Sequence, residues 1–160
     1  MEPELSASLE TSAPALSRTP HQKAIPHPGR SGLSTWSPRV LSLIRIATAL
    51  LFIEHGTMIF FQFPGAMPGL ATPLPLLIIV AAALEICGGG LVLLGLYTRP
   101  VAFILSGEMA VGYFIAHFPR NPWPVINQGD AAILYCLLFF YMVFSGGGVW
   151  GLDALLRRKP

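Results

Sequence analysis

LIIVAAALEICGGGLVLLG, residues 77–95, holds a single charged side chain in nineteen and is otherwise apolar or glycine. About 20 such residues, wound as a helix that rises ~1.5 Å per residue, cross the ~30 Å of hydrocarbon in a bilayer. The stretch reads as a membrane span, and the whole chain agrees with it. The sequence is 53% hydrophobic and 11% charged, with a mean hydropathy of +0.62, where a soluble domain would carry about a quarter of its residues charged.

Working outward, apolar runs at about 39–63, 100–118 and 130–145 join a run at 74–97 that contains the quoted stretch. The breaks between them, FPGAMPGLATP, YTRP and FPRNPWPVINQG, are rich in turn formers. The expected organisation is a disordered N-terminal tail over 1–38, rich in Ser and Pro, a four-helix transmembrane domain over 39–145, and a short basic amphipathic tail over 146–160. Four spans put both termini on one side. Arg18, Lys23, Arg30 and Arg39 precede the first span, Arg99 sits between the second and third, and Arg157, Arg158 and Lys159 end the chain, whereas the opposite face offers Arg120 alone. The positive-inside bias then makes both termini cytoplasmic. Trp36, Tyr97, Trp123 and Trp150 fall at span ends, where amphipathic rings prefer the headgroup zone. The sequence thus specifies an all-α fold, an integral membrane four-helix bundle with short loops.

A net charge of +2 gives no nucleic-acid footprint. Cys87 and Cys136 lie inside apolar runs without CxxC spacing, so neither a zinc site nor a redox dithiol is indicated, and both are read as small packing residues. No metal site is expected. His55 and His117 would stand about 15 Å and 27 Å above the inner boundary on straight helices, too far apart in depth for one haem iron.

The polar residues inside the spans carry the functional reading. Glu54 and His55 adjoin within ALLFIEHGTMIFF (49–61), Glu85 lies in the second span and Glu108 in the third. An ionised acid at such depth costs about 2.5 to 3.5 kcal/mol. Arg45 is nine residues from Glu54 and on the opposite side of the same helix, so the bases do not cover the acids. At least one acid is expected to hold a proton or share one with His55, which suits carrying protons or bonding a polar ligand; buried hydrogen bonds that glue helices are the bland reading. Glu85 shares its helix face with Ala81, Ala82, Gly88, Gly89 and Val92 and is expected to point into the bundle. Arg45 and Glu54 recur 54 residues later as Arg99 and Glu108, as if spans one and three were related, with each Arg snorkelling to the inner boundary. His117, Arg120, Asn127 and Asp130 gather at the other end as an outer vestibule, Asp130 also fitting as a cap or first-turn acid.

IEHG, then LEICGGGLVLLGLYTRP, GEMAVGYFIAHFPRNPWPVINQGDAAILYC and GGGVWGLDALL together resemble the DoxX family of small four-helix membrane proteins over about Arg39 to Leu156. The resemblance implies a bundle in the cytoplasmic (inner) membrane and, for some relatives, a place in thiosulfate:quinone oxidoreductases or other membrane complexes that handle thiols and radicals. The family often places a Lys shortly after its His-Gly pair, where this chain has Met58 and Ile59.

Three function classes fit. One is a membrane subunit of a redox complex, with Glu54, His55, Glu85 and Glu108 as a quinone or small-ligand and proton site, electrons arriving from a partner, and no covalently bound cofactor. Such a subunit would not be catalytic alone. The second is a non-catalytic anchor or assembly factor, and the third a small proton-coupled transporter. Membrane lipids, a soluble or membrane redox partner and further copies of the chain are the expected partners; the substrate and catalytic residues are not specified.

Overall fold

The computed structural model describes residues 32–67, 69–70 and 72–157. The tail expected to be disordered therefore falls mostly outside the described residues, as do Arg158 and Lys159. All regular elements described are helical: α1 Gly32–Phe61, α2 Leu76–Leu94, α3 Thr98–Gly112 continuing as one π-helical turn over Tyr113–His117, α4 Pro124–Asn127, α5 Asp130–Ser145 and α6 Leu152–Leu156. Three helical segments are long and apolar enough to cross a membrane: α1, α2, and α3 with its π turn, while α5 is shorter at 16 residues. α1 packs chiefly on α2, α3 on α5, and α2 on α3; α1 meets α5 more lightly.

Residues 32–38 of the expected tail are helical. α1 starts at Gly32 and runs through Pro38, where the Ser42 hydroxyl bonds the Pro38 carbonyl at 3.0 Å. With 30 residues, α1 measures ~45 Å at 1.5 Å per residue.

Small residues set the α1–α2 contact. A Cβ on Gly56 would stand 2.7 Å from the Ala82 carbonyl oxygen, and one on Gly89 equally close to Ile53. Backbone approach of this kind is how helices gain packing in lipid, where no hydrophobic force drives them together. Ala49, Phe52, Val92, Ala102, Leu105, Phe139 and Met142 form the buried core, drawn from all four long helices.

One end of the bundle is tied by a polar clasp. Arg45, fully buried on α1, donates from Nε to the Gly147 carbonyl at 2.8 Å, from Nη2 to Trp150 at 3.2 Å, and from Nη1 to Val92 and Leu93. Val92 and Leu93 belong to the last turn of α2, whose carbonyls carry the negative end of the helix dipole; the Val92 carbonyl also accepts from the Gly95 N–H at 3.0 Å. Arg45 thus corrects the expectation of snorkelling: the sequence gives it carbonyls to reach inside, at the same depth, so it turns inward. The Ser42 hydroxyl accepts from the Trp150 N–H at 3.2 Å. Asp153 caps α3, accepting from the Tyr97 and Thr98 N–H groups at 2.9 and 2.8 Å, while its own N–H bonds the Gly95 carbonyl at 2.8 Å. Gly95 (φ +67°) ends α2 in the left-handed region and lies so near Gly151 that a Cβ would stand 2.5 Å from the Gly151 Cα.

Cys136 is half-buried beside Ser106, whose hydroxyl bonds the Cys136 carbonyl at 2.9 Å. Cys87 corrects the packing expectation: it is exposed on the outer side of α2, one position off the buried Gly88. Both thiols are free.

Hydrogen bonds from a charged donor contribute about 1.5–3 kcal/mol each, and orphaned acceptors add their own cost. Arg45→Leu is therefore expected to lower unfolding stability by at least about 3 kcal/mol in detergent micelles, read by thermal or denaturant unfolding. Burial alone would raise the Asp153 carboxyl, but the N–H groups of Thr98 and Tyr97 and the charge of Arg157 outweigh it and hold it below the usual aspartate value. A group depressed in the folded state stabilises it above its unfolded pKa of ~3.9, and that contribution fades as pH falls through the lower folded value. Asp153→Asn should melt below the parent at pH 7, with the gap closing once the pH drops under ~3.9.

Candidate functional site

The clasp fixes the level of everything above it. Glu54 lies nine residues past Arg45, Glu85 ten before Gly95, Glu108 ten past Thr98, and Tyr135 ten before Ser145. Nine or ten residues of helix are ~14–15 Å, so antiparallel helices tied at one end bring these four side chains to one depth. Tyr135 is within electrostatic reach of Glu54 and Glu85, and Glu108 within reach of Glu85. Glu85 and Glu108 thus come near one another inside the bundle with Tyr135, which the sequence did not single out, while Glu54 shares their depth but not their side.

Each member sits differently. Glu85 is 7% exposed on the inner face of α2, and its Oε2 has no hydrogen-bond partner among the described residues. Glu108 is half-buried on α3 with both carboxyl oxygens unpartnered in the same sense. Unsatisfied buried polar atoms are rare in proteins, so three on two neighbouring acids set this level of the bundle apart. Glu54 is exposed on α1, on the side that leaves the bundle.

His55 is half-buried, with Nδ1 3.0 Å from the Leu51 carbonyl oxygen. A carbonyl accepts only, so Nδ1 carries the hydrogen and Nε2 of the neutral ring is left as an acceptor. The ring stands edge-on to Tyr135, centroids 5.7 Å apart. Tyr135 also meets Phe52 at 5.2 Å, and Phe52 meets Phe139 at 4.8 Å, so the α1–α5 seam is bridged by rings. The Tyr135 hydroxyl makes no hydrogen bond to a described residue. Tyr135 had a signal in the sequence, since it stands four residues before the core Phe139 and at the counted depth of the acids; composition alone passed over it as one more aromatic.

Of the four residues expected at a vestibule, His117 and Asn127 are in contact, while Arg120 and Asp130 stand apart. His117 Nδ1 lies 3.0 Å from the Asn127 carbonyl oxygen, and its ring stacks on Tyr113 at 6.2 Å. Asn127 is 3% exposed; its side chain donates to the Asn121 carbonyl at 2.6 Å and accepts from the Gly129 N–H at 2.7 Å, bracing the turn into α5. Arg120 and Asp130 are exposed and bond no described residue through their side chains, Asp130 lying in the first turn of α5. The wide π turn places His117 against α4. No group of three or more His, Cys, Asp and Glu that could hold a metal occurs among the described residues.

A DoxX family model matches residues 40–118. The chain is 45% identical over 136 residues to an uncharacterized protein of Haemophilus influenzae, an alignment covering 81% of this chain and 99% of that relative. It is 34% identical over 84 residues to the inner membrane protein YphA of Escherichia coli, covering 48% of this chain and 60% of the relative. No solved structure matches.

The unpartnered oxygens make a specific forecast about substitution. Glu85→Gln and Glu108→Gln take no hydrogen bond from Glu85 Oε2 or from either Glu108 oxygen, so each variant should unfold within about 1 kcal/mol of the parent. Asn127→Ala leaves the Asn121 carbonyl without its partner and the Gly129 N–H with only its longer bond to the Pro124 carbonyl, and should cost about 1–3 kcal/mol. A large loss in the two Gln variants, measured in the same unfolding assay, would mean that the acids hold the helices together.

Proposed function

The chain belongs to the DoxX family, and from that premise we propose that it is a multi-pass protein of the cytoplasmic membrane, with four spans and both termini inside, acting as the membrane subunit of a quinone-linked redox complex. The observation that carries the site is the layer of Glu54, His55, Glu85, Glu108 and Tyr135 at one depth with three unpartnered carboxyl oxygens in it. The residues fit a quinone headgroup, whose carbonyl oxygens need donors in an otherwise apolar setting. When bound, a quinone supplies two-electron, two-proton redox chemistry, the electrons coming from a partner protein.

The roles of this chain's own groups follow from their bonds. The Tyr135 hydroxyl is a free donor for a carbonyl oxygen. His55, with Nδ1 committed to Leu51, presents Nε2 as the atom that takes up or gives back a proton. Glu85 and Glu108 are the inner proton store, and Glu54 is the acid on the bilayer side. The hydrocarbon around them excludes water, so protons move between these groups rather than to solvent.

A non-catalytic anchor or assembly factor is the second reading. The clasp favours it, because Arg45 is a buried charge in this fold that joins helices by hydrogen bonds at one end of the bundle.

Binding of a benzoquinone analogue to the purified protein should weaken at least about tenfold, or ~1.4 kcal/mol, in His55→Ala and Glu54→Gln, with melting temperatures near that of the parent. Unchanged binding, or unfolding in place of weaker binding, moves the reading to the anchor. Topology has its own check: in a background lacking Cys87 and Cys136, single cysteines at Ser31 and Lys159 should resist an impermeant thiol reagent in intact cells, whereas cysteines at Ala71 and Asn121 should react. Labelling of both termini from outside would reverse the orientation.

A further inference from the structure

At the clasp end, α1 and the segment after α5 enclose a groove of about 290 Å³ lined by Thr35, Pro38, Arg39, Val149 and Trp150. Its walls are held together by the backbone. The Trp150 N–H donates to the Ser42 hydroxyl at 3.2 Å, that hydroxyl donates to the Pro38 carbonyl at 3.0 Å, and a Cβ on Gly148 would stand 2.7 Å from the same carbonyl oxygen. The side chains of the lining supply donors and no carboxylate: the Arg39 guanidinium, the Thr35 hydroxyl and the Trp150 indole N–H make no hydrogen bond to a described residue. Arg39 is exposed and lies 5.2 Å from the centre of the Trp36 ring, a contact with a ring face and not with an acceptor oxygen.

The surroundings leave that charge uncancelled. Arg45 lies beneath the loop, bonded to neutral carbonyls, and Arg99 stands where the loop begins, its Nε 3.6 Å from a Cβ built on Gly146. Arg157 is exposed just beyond α6. Among the described residues the carboxylate at this end is Asp153, and it is committed to the N–H groups of Tyr97 and Thr98. We propose that the groove binds the phosphate of an anionic bilayer phospholipid whose acyl chains lie along the adjoining flank of α1. Trp36 and Trp150 are 60% and 53% exposed, which is how amphipathic rings stand in the headgroup zone, so the anion within reach is a lipid's. Leu43 and Leu50, four and eleven residues on from Arg39, return to within ~40° of its side of the helix and are 55% and 50% exposed. Eleven residues rise ~16 Å, about one leaflet's half of a ~30 Å hydrocarbon layer. Head and chains of one lipid thus meet matching surfaces in line on α1. A zwitterionic lipid suits the apolar flank equally, but it brings a cation of its own to an end that already carries an excess of them. The site is separate from the acid layer and does not rest on the quinone reading.

Native mass spectrometry of the full chain tests this, with phosphatidylglycerol and phosphatidylcholine of identical acyl chains as the probes. Phosphatidylglycerol is expected to bind at least about tenfold more tightly, and excess glycerol phosphate, which has the head and no chains, should not displace it. Arg39→Gln should weaken phosphatidylglycerol at least about fivefold, whereas Arg157→Gln, which removes the same charge from outside the groove, should weaken it about twofold at most. Both side chains are exposed, so both variants should melt near the parent. Equal losses in the two variants would reduce the effect to a diffuse basic surface and overturn the groove. Equal affinity of the parent for the two lipids would overturn the anionic headgroup, and displacement by glycerol phosphate would make the ligand a soluble phosphate in place of a lipid.

Discussion

A guanidinium that cannot lose its charge has to find acceptors wherever the chain buries it, and Arg45 is buried completely. It meets this demand with four main-chain carbonyls, two from the end of α2 and two from the segment after α5. Carbonyls are fixed by the backbone, so satisfying the charge also fixes where α1, α2 and the chain beyond α5 stand relative to one another. Asp153 extends the arrangement to α3 by taking the two N–H groups at its start. Two charged side chains, Arg45 and Asp153, thereby set the register of the four long helices at one end of the bundle.

Register at one end becomes depth in the middle. Helices rise by a fixed step, and groups the same number of residues from the clasp arrive at the same level without any direct bond between them. That is how three acids and a tyrosine come to form a layer although no salt bridge or hydrogen bond joins them. The fold supplies the position and leaves Glu85 Oε2 and both Glu108 carboxyl oxygens without a partner among the described residues. A layer held by its own internal bonds would have less capacity to hold a proton or bond a ligand.

The helices and the inward direction of Glu85 were legible in the sequence, because unbroken apolar runs and a small-residue face are local patterns. Asp130–Ser145 was readable to the residue from its flanking turns. Arg45 was not, since its acceptors lie 47 to 105 residues away, and a charge near a span end looks the same whether it turns toward water or inward. Asp153 escaped for the same reason, its partners being 55 and 56 residues distant. Glu54 and His55 were conspicuous as residue types, but which of them leaves the bundle depends on where α5 packs. Tyr135 depends on that contact too, and on a depth count that has meaning once the clasp is known.

The unequal lengths of α1 and α5 have a consequence for the membrane itself. At 30 and 16 residues they measure ~45 Å and ~24 Å, one well beyond and one short of a ~30 Å hydrocarbon layer. A bilayer that thins to cover the ends of α5 meets, on the adjoining flank, a helix that must tilt or emerge. The ~21 Å difference in length falls between two helices that touch through Phe52, Tyr135 and Phe139, so no single flat hydrocarbon slab matches both.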